Sequence, residues 1–211
     1  MELHDRLREI LREHFNWGKP RLDCFVGMLL ALLTLKHINL TQLALAFSSD
    51  AELNSRYRRL QRFFGEVVFD YDALASLIMG LFSFHDTDYY LTLDRTNWKW
   101  GRSNINILTL GIVYKQIAVP VYWMILNKQG NSNQRERIAL LERFIREFTG
   151  QRVLGILGDR EFIGGDWWKW LDESSIPYLI RIKKNQHVLQ HGGKTCLVER
   201  VFAHLCVNQS C

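Results

Sequence analysis

The first 84 residues carry a helical pattern of apolar and polar positions. From residue 3 to residue 15 apolar side chains recur every three or four positions, which predicts one amphipathic helix. The apolar stretch over 22–35 predicts a buried helix. Two shorter helices are predicted at 41–47 and 52–64, joined by a polar turn in the arrangement of a helix–turn–helix.

The second helix of this pair is rich in arginine. Four candidate DNA-contacting side chains lie close together on it: Arg56, Arg58, Arg59 and Arg62. One interpretation is a solvated basic face. The other is contact with DNA phosphates, with the second helix near a groove. The sequence leaves both open.

From residue 88 the pattern changes to a period of two. The segments 89–93, 105–115 and 119–126 are rich in aromatic and β-branched residues and are separated by turn signals. They predict three consecutive antiparallel strands, with the first ending at Asp94.

A helix and two further strands are predicted downstream. Asn133 and Glu136 form a candidate capping pair for a helix that stops at Gly150. The apolar segment 153–157 predicts a strand buried on both faces, as in a parallel sheet. A second helix is predicted at 166–172 and a fifth strand at 178–182. The order of these elements predicts an α/β fold with a ribonuclease-H-like mixed sheet, preceded by an all-helical region.

Composition narrows the class of protein. The chain has 211 residues, 47% of them hydrophobic and only 3 of them proline, which excludes a disordered or fibrous chain. Its longest apolar run, 25–35, is too short to span a membrane. Four scattered cysteines without a Cys-x-x-Cys pair predict a reduced, cytoplasmic protein. The net charge of +5 permits a nucleic-acid partner.

Two aspartates are the strongest candidates for chemistry. Asp94 follows the first predicted strand and Asp159 follows the buried fourth strand. If these strands are parallel neighbours, their ends lie about 5 Å apart and both carboxylates point into one crevice. Two such carboxylates repel each other unless a cation lies between them, and Mg²⁺ suits oxygen ligands. The alternative is that each Asp simply ends a strand or caps a turn.

Several basic and aromatic residues near these aspartates are candidate DNA contacts. Trp98 and Lys99 are close in sequence to Asp94 and could stack on a base or hold a phosphate, although core tryptophan is the competing interpretation. Arg160 and the pair Lys183 and Lys184 are placed to meet a DNA backbone, or else serve as solubilising surface charges.

Three blocks of the sequence resemble the DDE transposases of bacterial insertion sequences, in particular the IS-four-type family. They are Leu-Thr-Leu-Asp-Arg-Thr-Asn-Trp at 91–98, Gly-Asp-Arg-Glu-Phe at 158–162 and Tyr-Leu-Ile-Arg-Ile-Lys-Lys-Asn at 178–185. The resemblance implies that Asp94 binds two metal ions and Asp159 one, with Mg²⁺ as the ion and Mn²⁺ as a substitute. It also implies strand cleavage by water and attack by the freed 3′-hydroxyl, without a covalent enzyme intermediate.

The resemblance also implies partners and organisation. We expect double-stranded DNA as substrate, both transposon ends and target, a homodimer on DNA, no membrane, and a bacterial, cytoplasmic, nucleoid-associated location. The expected domains are a helical DNA-binding region at 1–84, a partial ribonuclease-H-like core at 85–185 and the start of a β-rich insertion at 186–211.

The chain departs from this family in one respect. The family's third carboxylate is a Glu on a helix downstream of the insertion, and Glu199 lacks its signature and spacing. We therefore expect a chain truncated relative to the family. The alternative to an active transposase is a catalytically inactive fragment that binds DNA or inhibits full-length subunits.

Overall fold

The computed structural model describes residues 3–150, 152–190 and 192–204, apart from the side chain of Trp100. The chain divides into two compact units, Met1–Phe82 and Ser83–Cys211. Each is described by itself.

The first unit consists of helices. They are α1 (Leu3–His14), α2 (Lys19–Leu35), α3 (Leu40–Ala46), α4 (Leu53–Glu66) and α5 (Tyr71–Leu81). Four of them confirm the helices predicted from periodicity, and the side chain of Asn39 caps α3 by accepting from the amides of Thr41 and Gln42. The fifth helix lies in a segment that the sequence marked only as generally helical.

Aromatic side chains hold this unit together. The rings of Phe25 and Phe63 stack at 5.6 Å between centroids, and those of Phe15 and Trp17 at 4.4 Å. Among the described residues no single helix is long and apolar enough to cross a membrane; α2 and α3 meet such a criterion only as a pair bent by 99°.

The second unit combines a sheet with helices. Its strands are β1 (Tyr89–Trp100), β2 (Ser103–Tyr114), β3 (Ile117–Ile125), β4 (Val153–Gly158), β5 (Tyr178–Ile180), β6 (His187–Leu189) and β7 (Thr195–Leu197). Its helices are α6 (Gln134–Glu147), α7 (Gly165–Glu173) and α8 (Val198–Val201). The predicted cap of α6 is confirmed, since Asn133 and Glu136 form a reciprocal capping box.

The main sheet has five strands in the order β3-β2-β1-β4-β5. β1, β2 and β3 are antiparallel, whereas β4 runs parallel to both β1 and β5. This mixed sheet with its helical N-terminal region is the predicted α/β, ribonuclease-H-like architecture. β6 and β7 form a separate two-stranded sheet.

One face of the main sheet is covered by helices. Side chains that alternate along the central strands are buried there, among them Leu91 and Leu93 of β1 and Leu110 of β2. They meet an apolar layer from α6 and α7 that includes Phe144 and Trp167, both at most 1% exposed. This packing fixes the central strands and therefore the positions of residues at their ends.

Candidate functional site

Asp94 and Asp159 lie side by side at the carboxyl edge of the sheet. The parallel pairing of β1 and β4 ends at Leu93 opposite Gly158, and the two aspartates are the next residues on each chain. Continuing this register puts their Cα atoms about 5 Å apart. Both residues are exposed. The parallel neighbourhood on which the sequence prediction depended is therefore present.

Each carboxylate is oriented by the backbone amide that follows it. The amide of Arg95 donates to Asp94 Oδ1 at 2.8 Å, and the amide of Arg160 donates to Asp159 Oδ1 at 2.5 Å. The carbonyl of Asp159 also accepts from the amide of Phe162 at 2.9 Å, which closes a tight turn after β4. These bonds use one oxygen of each carboxylate and leave the other available to a ligand.

The prediction that the first strand ends at Asp94 is wrong. β1 continues to Trp100 because it pairs with β2 as far as the rung Trp100–Ser103. Gly101, with φ of 57°, supplies the left-handed conformation needed in the tight connection. Asp94 therefore lies in mid-strand, at the level where β4 ends.

This extension carries two of the candidate DNA contacts away from the aspartates. Trp98 lies four residues beyond Asp94 on the same face of β1, about 13 Å along the strand, and is 57% exposed. Lys99 is exposed on the opposite face. Both are available to a ligand, at the far end of the hairpin rather than directly beside Asp94.

A largely buried ion pair joins the two aspartate-bearing segments. Arg95 donates from Nε to Glu161 Oε1 at 2.9 Å and from Nη2 to Oε2 at 3.0 Å. Its guanidinium also donates to Asn106 Oδ1 and Asn131 Oδ1, each at 3.2 Å. The side chains of Arg95 and Glu161 are only 14% and 22% exposed. Such bidentate pairs are rigid as well as strong.

The turn after β4 is also held by Arg137 of α6, which is 4% exposed. Arg137 Nη2 donates to the carbonyls of Ser132 at 2.7 Å and Glu161 at 3.0 Å, and Nε donates to Ser132 Oγ at 3.0 Å. Burial lowers the pKa of Arg137, while the nearby carboxylates of Glu161 and Glu136 oppose this effect. The guanidinium thus fastens the turn to the start of α6.

An open depression of about 520 Å³ adjoins Asp159. It is lined by Asn131, Asp159, Arg160, Glu161, Ile163, Lys183, Asn185 and Gln186. The structure therefore separates two neighbouring candidates: Lys183 lines the depression, whereas Lys184 is exposed outside that lining. The exposed Arg160 also lines this depression and could meet the same anionic ligand as Lys183.

The two aspartates fit a divalent cation in charge and ligand type, since hard cations prefer carboxylate oxygens. Among residues 3–150, 152–190 and 192–204, no three Asp, Glu, His or Cys side chains gather as a metal-binding group. Glu161 is engaged by Arg95. Glu199 is exposed at the start of α8, where its amide donates to the carbonyl of Lys184.

Residues 84–208 match the family model of the transposase DDE domain, which is more than half of the chain. The chain belongs to the DDE transposase family. This confirms the family predicted from the Asp94 and Asp159 blocks, while the IS-four-type grouping stays a prediction. Transposases of this family generally use a divalent metal ion.

Other comparisons add little to this DDE domain assignment. No curated protein matches the chain. Among solved structures, the cryoEM structure of the simian T-cell lymphotropic virus intasome in complex with PP2A regulatory subunit B56 gamma is similar at a TM-score of 0.36 and 13% identity. The match covers 46% of this chain and 33% of that chain, so it spans about a third of the other protein's length.

The four arginines of α4 lie outside the matched transposase domain and divide into two kinds. Arg56 donates to the carbonyl of Phe47 at 2.9 Å, and Arg59 donates to the carbonyl of Pro20 at 3.1 Å. Arg58 and Arg62 are exposed and line an open depression with Ser55 and Gln61. The first two hold the helices of their unit together, and the second two face solvent.

Sequence reasoning missed the residues that support the aspartates of this transposase domain. Arg95, Glu161, Asn106 and Arg137 were not singled out, although Arg95 and Glu161 lie inside the blocks that carry the family resemblance. A charged residue beside each aspartate was the available signal. Arg95 and Glu161 are 66 positions apart in the sequence, and they pair only because β1 and β4 align in this register.

Proposed function

We propose that this DDE domain protein is the transposase of a bacterial insertion sequence, which binds transposon-end DNA and catalyses metal-dependent strand cleavage and transfer in DNA transposition and recombination. The observation that carries the proposal is the register of β1 and β4, which makes Asp94 and Asp159 the first pair beyond the last rung. Functional sites of open α/β sheets lie at this carboxyl edge.

In this proposal Asp94 and Asp159 hold Mg²⁺, with Mn²⁺ as a substitute. When bound, the metal supplies positive charge that stabilises the attacking and leaving oxygens at phosphorus. The amides of Arg95 and Arg160 orient the two carboxylates. A water oxygen bonds to the scissile phosphorus, the bond from phosphorus to the 3′ oxygen breaks, and that oxygen leaves as a 3′-hydroxyl after taking a proton. The freed 3′-hydroxyl then attacks a target phosphodiester in the same way.

The proposed DNA contacts are basic and aromatic side chains that are exposed to solvent. In the DDE domain they are Arg160 and Lys183 beside Asp159, Lys184 next to them, and Trp98 and Lys99 on the hairpin. In the helical region they are Arg58 and Arg62, with Arg56 and Arg59 supporting α4 from within. Cationic side chains at phosphates give binding that weakens steeply with salt. We further propose a homodimer on DNA in the bacterial cytoplasm, associated with the nucleoid.

A plasmid assay tests the proposed activity. The purified 211-residue protein should nick supercoiled DNA in Mg²⁺ but not in EDTA, and Asp94→Asn or Asp159→Asn should reduce the nicking rate at least about a hundredfold. Asp88→Asn is the matched control, because Asp88 lies at the opposite end of β1. Nicking that survives both active-site substitutions would contradict the proposal.

The number of candidate metal-binding carboxylates at the site favours a second function. Because the described residues gather two carboxylates and no third metal ligand, the chain could act as a catalytically inactive module that binds DNA or inhibits full-length subunits. Salt-sensitive DNA binding by a preparation that never nicks would support this function. Nicking that depends on Asp94 and Asp159 would exclude it.

A further inference from the structure

We propose that the Arg95–Glu161 ion pair is a clamp that sets the spacing of Asp94 and Asp159, so that Arg95 and Glu161 are positioning residues of the metal site. The inference deepens the proposed function and rests on it, because it assigns the clamp a role toward the two proposed metal ligands.

Both clamp residues are close to the aspartates in sequence, and Arg95 lies on the opposite face of β1 from Asp94. Arg95 directly follows Asp94, and successive residues of a strand point to opposite faces. The guanidinium therefore reaches Glu161 behind the strand, while the Asp94 carboxylate faces the other way. Glu161 lines the same depression as Asp159, but both of its carboxylate oxygens accept from Arg95, so a role in positioning is compatible with the geometry.

The clamp is located where the backbone ladder stops. The last described rung between β1 and β4 joins Leu93 and Gly158, and the aspartates begin immediately beyond it. Two carboxylates on adjacent strands, with their Cα atoms about 5 Å apart, repel each other and tend to separate their chains. The two hydrogen bonds between Arg95 and Glu161, at 2.9 and 3.0 Å, join the same two segments across this point.

Both members of the clamp are held in place themselves. Arg95 donates to Asn106 Oδ1, and Asn106 is 1% exposed and donates in turn to the carbonyls of Lys128 and Gly130. On the other segment, the carbonyl of Glu161 accepts from Arg137. A pair anchored on both sides transmits its spacing to the residues beside it, which an ion pair between two free surface side chains does not.

A second ion pair in the same unit provides the matched control. Arg152, just before β4, contacts Asp88, just before β1, at 3.2 Å. It thus joins the same two strands at their other ends. Its side chains are 76% and 44% exposed, so it resembles an ordinary surface pair.

The experiment measures Mn²⁺ affinity by calorimetry and amide hydrogen exchange of residues 160–163 in the metal-free protein. The variants are Arg95→Gln, Glu161→Gln, the two combined, and Arg152→Gln. We expect each clamp substitution to weaken Mn²⁺ binding about tenfold or more, as loss of residues that orient metal ligands does. The double variant should cost little more than either single one, since the two side chains act as one unit. Arg95→Lys keeps the charge but loses the planar fork, and should fall between Arg95→Gln and the unaltered protein.

Two results would overturn the clamp. One is a Mn²⁺ affinity in Arg95→Gln equal to that of Arg152→Gln, in a protein whose Mn²⁺ binding depends on Asp94 and Asp159; the proposed function would then stand without the clamp. If the unaltered protein binds no Mn²⁺, the proposed metal site is wrong. Amide hydrogen exchange in the metal-free protein then tests the clamp by itself. Faster exchange at 160–163 in Arg95→Gln than in Arg152→Gln would support it, and equal exchange would refute it.

Discussion

The two ends of the β1–β4 pair are held together in different ways. At the amino-terminal ends of β1 and β4, which form the amino edge, an exposed ion pair joins Asp88 and Arg152. At the carboxyl edge the bidentate Arg95–Glu161 pair is largely buried and connected to Asn106, Asn131 and the buried Arg137. Only the second edge also carries the two exposed aspartates proposed as metal ligands. The difference is that buried side-chain interactions are concentrated at the edge that carries the two like charges.

The strongest way to break this contrast is to remove Arg137. Arg137→Ala leaves the carbonyls of Ser132 and Glu161 without the donor from Arg137 and should lower the free energy of unfolding by about 3 kcal/mol. Arg152→Ala, at the amino edge, should change it by less than about 0.5 kcal/mol. Urea unfolding of both variants measures the two changes in unfolding free energy. Similar losses would contradict the contrast, and Arg137→Lys provides a milder variant should Arg137→Ala fail to fold.

Asn106 tests the same edge from the strand side. Its amide donates to the carbonyls of Lys128 and Gly130 at 3.1 and 2.8 Å, and its oxygen accepts from Arg95. Asn106→Ala should therefore cost about 2 kcal/mol of unfolding free energy. Asn104→Ala, two residues earlier on the same strand and partly exposed, is the control and should be close to neutral. Equal effects of the two substitutions would argue against a built network.

The helix that bears Arg137 offers a smaller test. Asn133 and Glu136 form the capping box at its start. Asn133→Ala should reduce the unfolding free energy by about 1 kcal/mol, whereas Asn133→Ser, which keeps a capping oxygen, should retain most of it. Thermal unfolding measures both variants. A loss in the serine variant as large as that in the alanine variant would contradict the capping role.

At the amino edge, Tyr89 should make the free energy of unfolding depend on pH in the alkaline range. Tyr89 is 3% exposed, its hydroxyl has no hydrogen-bond partner among the described residues, and burial raises its pKa from 10.0 to about 12. The folded state therefore retains the proton more strongly than the unfolded state. The resulting stability is complete below about pH 10 and is lost as the pH rises toward 12.

Tyr89→Phe should remove this alkaline loss and change stability at pH 7 by less than about 1 kcal/mol, because the hydroxyl it deletes is unbonded. Unfolding curves recorded at pH 7 and at pH 11 check both parts of the prediction. An alkaline loss that persists unchanged in the phenylalanine variant would show that another group is responsible.

The sequence predicted those features that depend on local chemistry. The capping pair at Asn133 and Glu136 and the strand predicted at 153–157 follow from residue types within a few positions, and the order of elements led to the sheet. The prediction that this strand is buried on both faces holds only for Gly155 and Ile156, since the rest of Val153–Gly158 is partly buried. The aspartates were found because each follows a strand-forming segment.

Features that depend on register were not predictable. β1 extends past Asp94 because β2 pairs with it, and nothing local to 95–100 marks this. Arg95 reaches Glu161 only after β1 and β4 have aligned. Arg137 looks like any other arginine of the charged helix Gln134–Glu147, and its burial becomes evident only when the turn after β4 packs against it.

The central claim is that Asp94 and Asp159 together form a binding site for divalent cations at the carboxyl edge of the sheet. Mn²⁺ binding followed by electron paramagnetic resonance tests it directly in Asp94→Asn, Asp159→Asn, the double variant and the amino-edge control Asp88→Asn. We predict that either active-site substitution weakens binding at least about tenfold, that the double variant adds little, and that the control binds like the unaltered protein. Equal Mn²⁺ affinity in all four variants and the unaltered protein would contradict the account.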